Sequence, residues 1–204
     1  MTAGFSPLRR GGAHAQFEPA QAALLASLAR QVVELLRDGV PDPQVAEADG
    51  DPLAQLVGVD GPADPPDDPV LARLLPDGYS DADPTAPHDD GGELADANAD
   101  FRRYTEPGLR DGKVATAQSV IAALHEAGVD DPDQPVDVEL DADGVQSWLR
   151  CLTDLRLAIG TRLGVEQDDE DRWESLPPDD AARGMHEVYD WLGYVQETLV
   201  RTLP

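Results

Sequence analysis

The 204-residue sequence has little cysteine, few aromatic residues and no long apolar run. Cys151 is the single cysteine, so an intramolecular disulfide is excluded, and this usage is typical of a protein in a reducing compartment. No apolar run approaches the roughly 20 residues of a membrane-spanning helix, and the start of the sequence lacks the apolar core of a signal peptide. These absences predict a cytoplasmic protein that does not enter a membrane.

Basic residues are also scarce, and Lys113 is the only lysine. The 15 basic and 41 acidic residues give a net charge of −26. Because non-specific affinity for nucleic acid comes from neutralising phosphates with Lys and Arg, this charge predicts no direct non-specific binding of nucleic acid. The acidity has two explanations that the sequence leaves open, which are a surface for a basic partner and an adaptation to salt or solubility.

The N-terminal segment has the pattern of a small β-hairpin. Two extended runs, "FSPLRR" and "AHAQF", flank Gly11 and Gly12, and Pro7 fits an edge strand. Much later, "PVDVEL" alternates apolar and acidic residues over 135–140, which predicts one short strand that could extend the hairpin.

The rest of the sequence predicts helices separated by acidic loops. Apolar residues recur every three or four positions after Pro19, before the C-terminus and on both sides of Pro107, where we expect a break or a kink, with Thr105 able to cap the second half. Asp141 is positioned to cap a further helix, and shorter helices are predicted within "DPLAQLVG" and "DPVLARLLPDGY". Trp173 is expected to anchor a loop. The prediction is a mainly α fold, a single domain over 1–204, with about four to six helices, the hairpin, and acidic Pro-rich loops or linkers at 38–69 and 77–92.

Motifs for catalysis and metal binding are incomplete. "GLRDGKV" lacks one residue of a phosphate-binding loop, and Val114 stands where a Ser or Thr would hold magnesium. "HEVYD" has Asp190 where a zinc-protease helix has its second histidine, and the calcium-loop pattern in "ELDADGVQSWLR" ends on Arg150 instead of a carboxylate. The histidines are scattered, and one cysteine cannot complete a zinc site with them. We therefore predict no cofactor, no metal and no enzymatic activity.

The stretch "WLRCLTDLRLAIGTRLG" places two arginines beside an apolar helical stripe. Arg156 and Arg162 lie roughly 60° to either side of the stripe centre. In one explanation each arginine lies along the core edge and pairs with a carboxylate of a neighbouring helix, such as Glu187 or Glu197. In the other, the two guanidinium groups receive an anionic group of a partner.

Arg102 and Arg103 form a second basic spot just before Tyr104. The candidate partner contacts are therefore Arg102, Arg103, Arg156 and Arg162. Cys151 is the possible redox thiol, although a buried, inert thiol is the commoner case. A switch that closes within one chain needs two cysteines, so redox sensing is either intermolecular or absent.

Five segments in this order, "AHAQFEPAQAALLASL", "DPVLARLLPDGY", "FRRYTEPGLRDGKVA", "WLRCLTDLRLAIGTRLG" and "VYDWLGYVQETLVRTL", carry a resemblance to a known family. The chain resembles an actinobacterial family of domains of unknown function that includes AosR-type oxidative-stress transcriptional regulators. The resemblance covers nearly the whole chain and implies a mostly helical intracellular protein, whose gene often lies near that of a Clp-protease adaptor.

The resemblance and the acidity together suggest a non-enzymatic regulator that acts through protein contacts, such as with a sigma factor or RNA polymerase. The alternative is an adaptor or accessory factor linked to Clp proteolysis. The sequence indicates no oligomeric state.

Overall fold

The computed structural model describes residues 4–9, 11–38, 61–80, 92–166 and 170–204, apart from the side chains of 170 and 171. The described residues confirm the predicted mainly α fold, with six helices and one small antiparallel sheet. The elements in chain order are β1 (Ser6–Pro7), β2 (Ala13–Phe17), α1 (Pro19–Arg37), α2 (Pro69–Leu74), α3 (Glu93–Glu126), β3 (Val136–Leu140), α4 (Ala142–Leu163), α5 (Glu170–Glu174) and α6 (Ala181–Val200).

The chain divides into two compact units. The first consists of Met1–Glu34 and Lys113–Pro204, and the second is Leu35–Gly112. Helices α1 and α3 each contribute residues to both units, because a unit boundary falls within each of them. The single domain expected over 1–204 stays a prediction.

The sheet of the first unit confirms the hairpin and its extension. Gly11 and Gly12 have φ of 86° and 88°, the left-handed region that glycine adopts without strain, and they turn the chain between β1 and β2. The strand order is β1-β2-β3, so Pro7 lies on an edge strand as expected. Strand β3 pairs with β2 in antiparallel register from Ala13 opposite Leu140 to Phe17 opposite Val136.

One face of the sheet is apolar and buried. Its alternate residues Ala13, Ala15, Phe17, Val136, Val138 and Leu140 are all buried. Phe5 and Phe17 contact the ring of Trp148 from α4, with centroids 5.4 Å and 6.0 Å away. Burial of such large rings supplies a major share of the stability of a small core.

Helix α4 begins and ends where its sequence predicts. Asp141 is the N-cap, and its Oδ1 accepts a hydrogen bond from the Gly144 backbone N–H at 2.8 Å. Gly164 ends the helix in the left-handed conformation. Helix α4 packs against α6, whose Leu192, Val195 and Leu199 are fully buried.

The second unit contains α2 and the N-terminal part of α3. Pro69 is the first residue of α2, and Asp68 Oδ1 accepts hydrogen bonds from the backbone N–H groups of Val70 and Leu71 at 2.7 Å and 3.2 Å, as the Asp-Pro signal predicted. Asn98 of α3 bonds both the N–H and the C=O of Tyr79, at 2.9 Å and 3.0 Å. These bonds fix the segment after α2 against α3.

The expected break at Pro107 is wrong, because α3 is one helix through that position. Thr105 does not cap a second helix, since its hydroxyl donates to the Phe101 carbonyl at 2.6 Å. Proline lacks the N–H that would bond the Arg103 carbonyl one turn earlier. Gly61 lies against that carbonyl, so closely that a Cβ at position 61 would be 2.2 Å from the Arg103 oxygen. The chain thus places a glycine where the proline leaves a carbonyl without its helical partner.

Two further expectations concern segments between the long helices. The loop that was expected around Trp173 contains the short helix α5, although Trp173 is buried as an anchor should be. The helix expected within 51–58 lies outside the described residues. In the ranges that the structure describes, no helix is long and apolar enough to cross a membrane.

Candidate functional site

Arg156 lies between α4 and α6 and is held by neutral groups. Its Nη1 donates to Gln196 Oε1 at 2.9 Å, its Nη2 donates to the Tyr189 hydroxyl at 3.2 Å, and its Cζ lies 4.8 Å from the centroid of the Tyr189 ring. The expected pairing of Arg156 with Glu187 or Glu197 is therefore wrong. Both glutamates lie instead beside arginines one turn away on their own helix.

Two glycines leave room for Arg156 and Tyr189, each of which packs against a glycine of the other helix. A Cβ at Gly193 of α6 would be 3.5 Å from Arg156 Cζ, and a Cβ at Gly160 of α4 would be 3.3 Å from the Tyr189 ring. Each helix thus offers a glycine surface to a large planar group of the other. This arrangement brings the guanidinium and the phenol into the interface, where their stacking is worth more than at an exposed site.

The contacts continue into a cation–aromatic stack made of Arg156, Tyr189, His186, Trp173 and Arg172. The His186 and Trp173 rings are stacked 4.5 Å apart at 15°, and the His186 and Tyr189 centroids are 5.9 Å apart. Arg172 Cζ lies 4.4 Å from the Trp173 ring. This stack was not predicted from the sequence, because Trp173 lies on a different helix from His186 and Tyr189. The three-residue spacing of His186 and Tyr189 was the available signal.

A second polar cluster joins α3 to α4 inside the first unit. Lys113 Nζ lies 2.6 Å from Asp154 Oδ1, and the two side chains are 23% and 8% exposed. Burial raises the pKa of Asp154, and the hydrogen bond and charge of Lys113 oppose that rise. Sequence analysis missed the pair, although its cation is the only lysine of the chain.

Cys151 is buried next to this pair. Burial, and then the nearby charge of Asp154, raise the pKa of the Cys151 thiol to about 12. Only 2% of the residue is exposed. The reactive form of a cysteine is the thiolate. Cys151 therefore has the environment of a packing residue, with very little thiolate at neutral pH.

The other predicted contact residues differ in their surroundings. Arg102 is 6% exposed, donates from Nε and Nη2 to the Ala63 carbonyl at 3.0 Å and 2.8 Å, and bonds Asp77 through Nη1, so the fold engages its guanidinium within the second unit. Arg103 lies 3.0 Å from Asp100, with 34% of its side chain exposed. Arg162 is exposed in the last turn of α4. Arg103 and Arg162 are thus the two accessible cations of the predicted set.

The described residues contain no group of three or more His, Cys, Asp or Glu side chains that could hold a metal ion.

Comparison with known proteins matches nearly the whole chain. A family model described as "Domain of unknown function (DUF2017)" matches residues 2–203. Proteins named "Oxidative stress regulator AosR" from Mycobacterium bovis and Mycobacterium tuberculosis are 35% identical to the chain over 191 residues, which is 91% of this chain and 79% of theirs. A relative from Mycobacterium leprae, also named for AosR, is 30% identical over 187 residues. No solved structure matches. The family model and these relatives confirm the resemblance, and the chain belongs to the DUF2017 family.

Proposed function

We propose that this chain is a regulator of the oxidative-stress response that acts through protein contacts and not by catalysis. The observation that carries the proposal is the 35% identity to proteins named oxidative stress regulators over 91% of the chain. The partner in this proposal is a sigma factor or RNA polymerase.

The charge of the chain supports a protein partner over direct contact with DNA. At −26 the chain repels a phosphate backbone and attracts basic protein surfaces. Complementary charge of this kind raises the rate of association and selects among partners.

The environment of Cys151 supports a role in contacts over thiol chemistry. A thiol with a pKa of about 12 and an exposed fraction of 2% is protected from oxidants while the chain is folded. In this proposal the stress signal reaches the chain through its partners or its abundance, and Cys151 contributes to packing.

The proposal is tested by capture from the native host. The tagged chain, expressed from its own locus, is captured before and after peroxide treatment, and the co-purified proteins are quantified by mass spectrometry. We expect enrichment of RNA polymerase or a sigma factor over an unrelated acidic protein with the same tag. Replacing both accessible cations, Arg103→Ala and Arg162→Ala, tests whether they contribute to capture.

Two results would contradict the proposal. Enrichment of Clp components in place of the transcription machinery would support the alternative role as an adaptor for proteolysis. An unchanged transcriptional response to peroxide in a strain that lacks the chain would separate it from stress regulation altogether.

A further inference from the structure

Among the described residues, strand β3 lies at an unpaired edge of the sheet, and its hydrogen-bonding positions follow from the register. Strands β1 and β2 pair with Ser6 opposite His14 and Pro7 opposite Ala13. Pro7 has no N–H, and the Leu8 N–H donates to the Gly12 carbonyl at 3.1 Å, so Ser6 and His14 form a hydrogen-bonded pair. The backbone groups of His14 therefore face β1, and those of its neighbours on β2 face β3.

The same alternation determines which backbone groups of β3 face β2 and which face away from the sheet. Val136, Val138 and Leu140 stand opposite the β2 residues that face β3, so their N–H and C=O groups bond β2. The N–H and C=O groups of Asp137 and Glu139 then face away from the sheet. Within the described ranges, no backbone or side-chain hydrogen bond to these outward groups is formed. Unpaired groups along an edge strand are a template for another strand.

The side chains at this edge are acidic. Asp137 and Glu139 are both exposed, on the polar face of the sheet. Asp137 Oδ1 accepts a hydrogen bond from Gln16 Nε2 at 3.1 Å and lies 3.3 Å from His14 Nε2, which fixes its position beside the edge. A strand added here meets two carboxylates on one face.

A pocket of about 570 Å³ adjoins the C-terminal end of β3. Helix α3 lines it with the small residues Ser119, Ala122 and Ala123, and its carboxylates are those of Glu126, Glu139 and Asp141. None of the described residues that line it is basic. Its volume lies in the usual range for binding pockets, and the carboxylates favour a cationic group.

We propose that an extended basic segment of a partner protein adds to β3 as a fourth strand of the sheet. Its backbone bonds the N–H and C=O groups of Asp137 and Glu139, its alternate Lys or Arg side chains face the two carboxylates, and one further cation enters the pocket. Strand addition obtains affinity from the backbone bonds and specificity from alternate side chains. The inference rests on the proposed function, because it assigns a site to the protein contact.

A second copy of the chain is a poor occupant of this edge. Antiparallel pairing of two β3 strands would place Asp137 and Glu139 of one copy opposite the same acidic residues of the other. Like charges directly opposite one another destabilise a strand pair. The acidic residues thus disfavour self-association and select a basic strand.

The test uses the full chain and a fluorescein-labelled synthetic peptide that alternates Lys or Arg with Val. Binding is measured by fluorescence anisotropy at physiological salt. We expect saturable binding, and we expect about tenfold weaker binding when the backbone nitrogens along one edge of the peptide are methylated, since the charge is kept and the strand bonds are lost. Methylation along the other edge should change affinity by less than about twofold, because those nitrogens face solvent.

Variants of the chain locate the site. The double reversal Asp137→Lys with Glu139→Lys should weaken peptide binding by at least about tenfold. The matched control, Glu34→Lys with Asp111→Lys, changes the net charge equally at exposed positions elsewhere and should weaken binding by less than about threefold. Thermal melts verify that both variants fold. In the wild-type chain, hydrogen exchange at the Asp137 and Glu139 amides should slow when peptide is bound.

Different results would contradict the binding site on β3 and the proposed function. Equal binding of both methylated peptides, equal effects of the two double variants, or unchanged exchange at the two amides would overturn the added strand. If the Asp137 and Glu139 variant still captures the transcription machinery, the site is wrong and the proposed function stands. If the peptide binds as expected and no transcription component is captured, the site stands and the proposed function fails.

Discussion

At the scale of single residues, Arg156 illustrates a cation that is held at a helix interface without a carboxylate. Its Nε is buried and has no hydrogen-bond partner among the described residues, and Gln196, the Tyr189 hydroxyl and the Tyr189 ring are the groups that hold the guanidinium. The guanidinium is weakly hydrated and planar, which lowers the cost of burying part of it against a ring.

Arg156→Ala should lower the free energy of unfolding by about 1–2 kcal/mol, because it removes the stacking on Tyr189 and leaves two polar groups without a donor. Urea denaturation measures the loss. Arg150→Ala, which truncates an exposed arginine of the same helix, should stay within about 0.5 kcal/mol of wild type. Equal stability of the two variants would contradict a structural role for Arg156.

Lys113 compensates the buried carboxylate of Asp154, and this compensation depends on pH. The pKa of Asp154 is raised in the fold, so the folded state holds the proton more tightly than the unfolded state. The stability contributed by that proton is present at low pH and is lost as the pH rises through the raised pKa. Lys113 stabilises the charged form of this carboxylate.

Lys113→Met should therefore cost about 2–3 kcal/mol of unfolding free energy at pH 7 and less at pH 4, because the need of Asp154 for a cation falls as its carboxylate takes up a proton. Urea denaturation of the variant and the wild type at both pH values gives the difference in their free energies of unfolding. The contributions of the other carboxylates are the same in both proteins and cancel in this difference. The double variant with Asp154→Asn should lose the pH dependence of the effect. A cost that is the same at both pH values would show that the pair is not electrostatic.

Cys151 should react very slowly in the folded chain. A pKa of about 12 leaves about three orders of magnitude less thiolate at neutral pH than the usual thiol pKa of about 8.5. We expect modification by a chromogenic disulfide reagent to be at least about 100-fold slower in buffer than in guanidinium chloride. Rapid modification of the native chain would mean that Cys151 is accessible and available as a redox thiol.

At the scale of elements, α3 shows how tertiary contacts override a local signal. Pro107 is the strongest helix breaker available, yet the helix continues on both sides of it. Gly61 lies against the Arg103 carbonyl that loses its helical hydrogen bond, although the two residues are far apart in sequence.

Two glycines of the second unit should respond oppositely to the same substitution. Gly61→Ala should destabilise the chain by about 1–3 kcal/mol, since its methyl group would collide with the Arg103 carbonyl. Gly108→Ala should stabilise it by about 0.5–1 kcal/mol, since Gly108 is an exposed helical position with open space around it. Thermal melts report both changes, and two shifts of the same sign would contradict this account of Gly61.

The elements that the sequence predicted are those specified by neighbouring residues. The Asp-Pro start of α2, the Asp141 cap and the Gly11-Gly12 turn are local, and each lies where its residues indicated. The contacts missed from the sequence join distant residues: Lys113 with Asp154, and Trp173 with His186. Periodicity gives the face of a helix but not the helix that it meets. For the same reason, the predicted carboxylate partners of Arg156 were wrong, although its predicted place beside the apolar stripe agrees with its position between α4 and α6.

At the scale of the whole molecule, the charge of −26 governs encounters. We expect no retardation of random duplex DNA at low-micromolar protein and physiological salt, because a phosphate backbone and this chain repel each other. An electrophoretic mobility assay measures this, with a basic DNA-binding domain as the positive control. Retardation of random duplex would require a basic surface that the net charge conceals.

The hydrogen bond from the Phe5 N–H to the Thr198 hydroxyl, 3.0 Å long, joins two segments that the ribosome makes at widely separated times. The ribosome releases the chain from its N-terminus, so β1 and β2 emerge long before β3 and α6, to which the first unit joins them. All of Leu35–Gly112 is made during this wait. The second unit can therefore form early, whereas the apolar face of the hairpin stays uncovered until β3 and the Trp148 segment of α4 have been made.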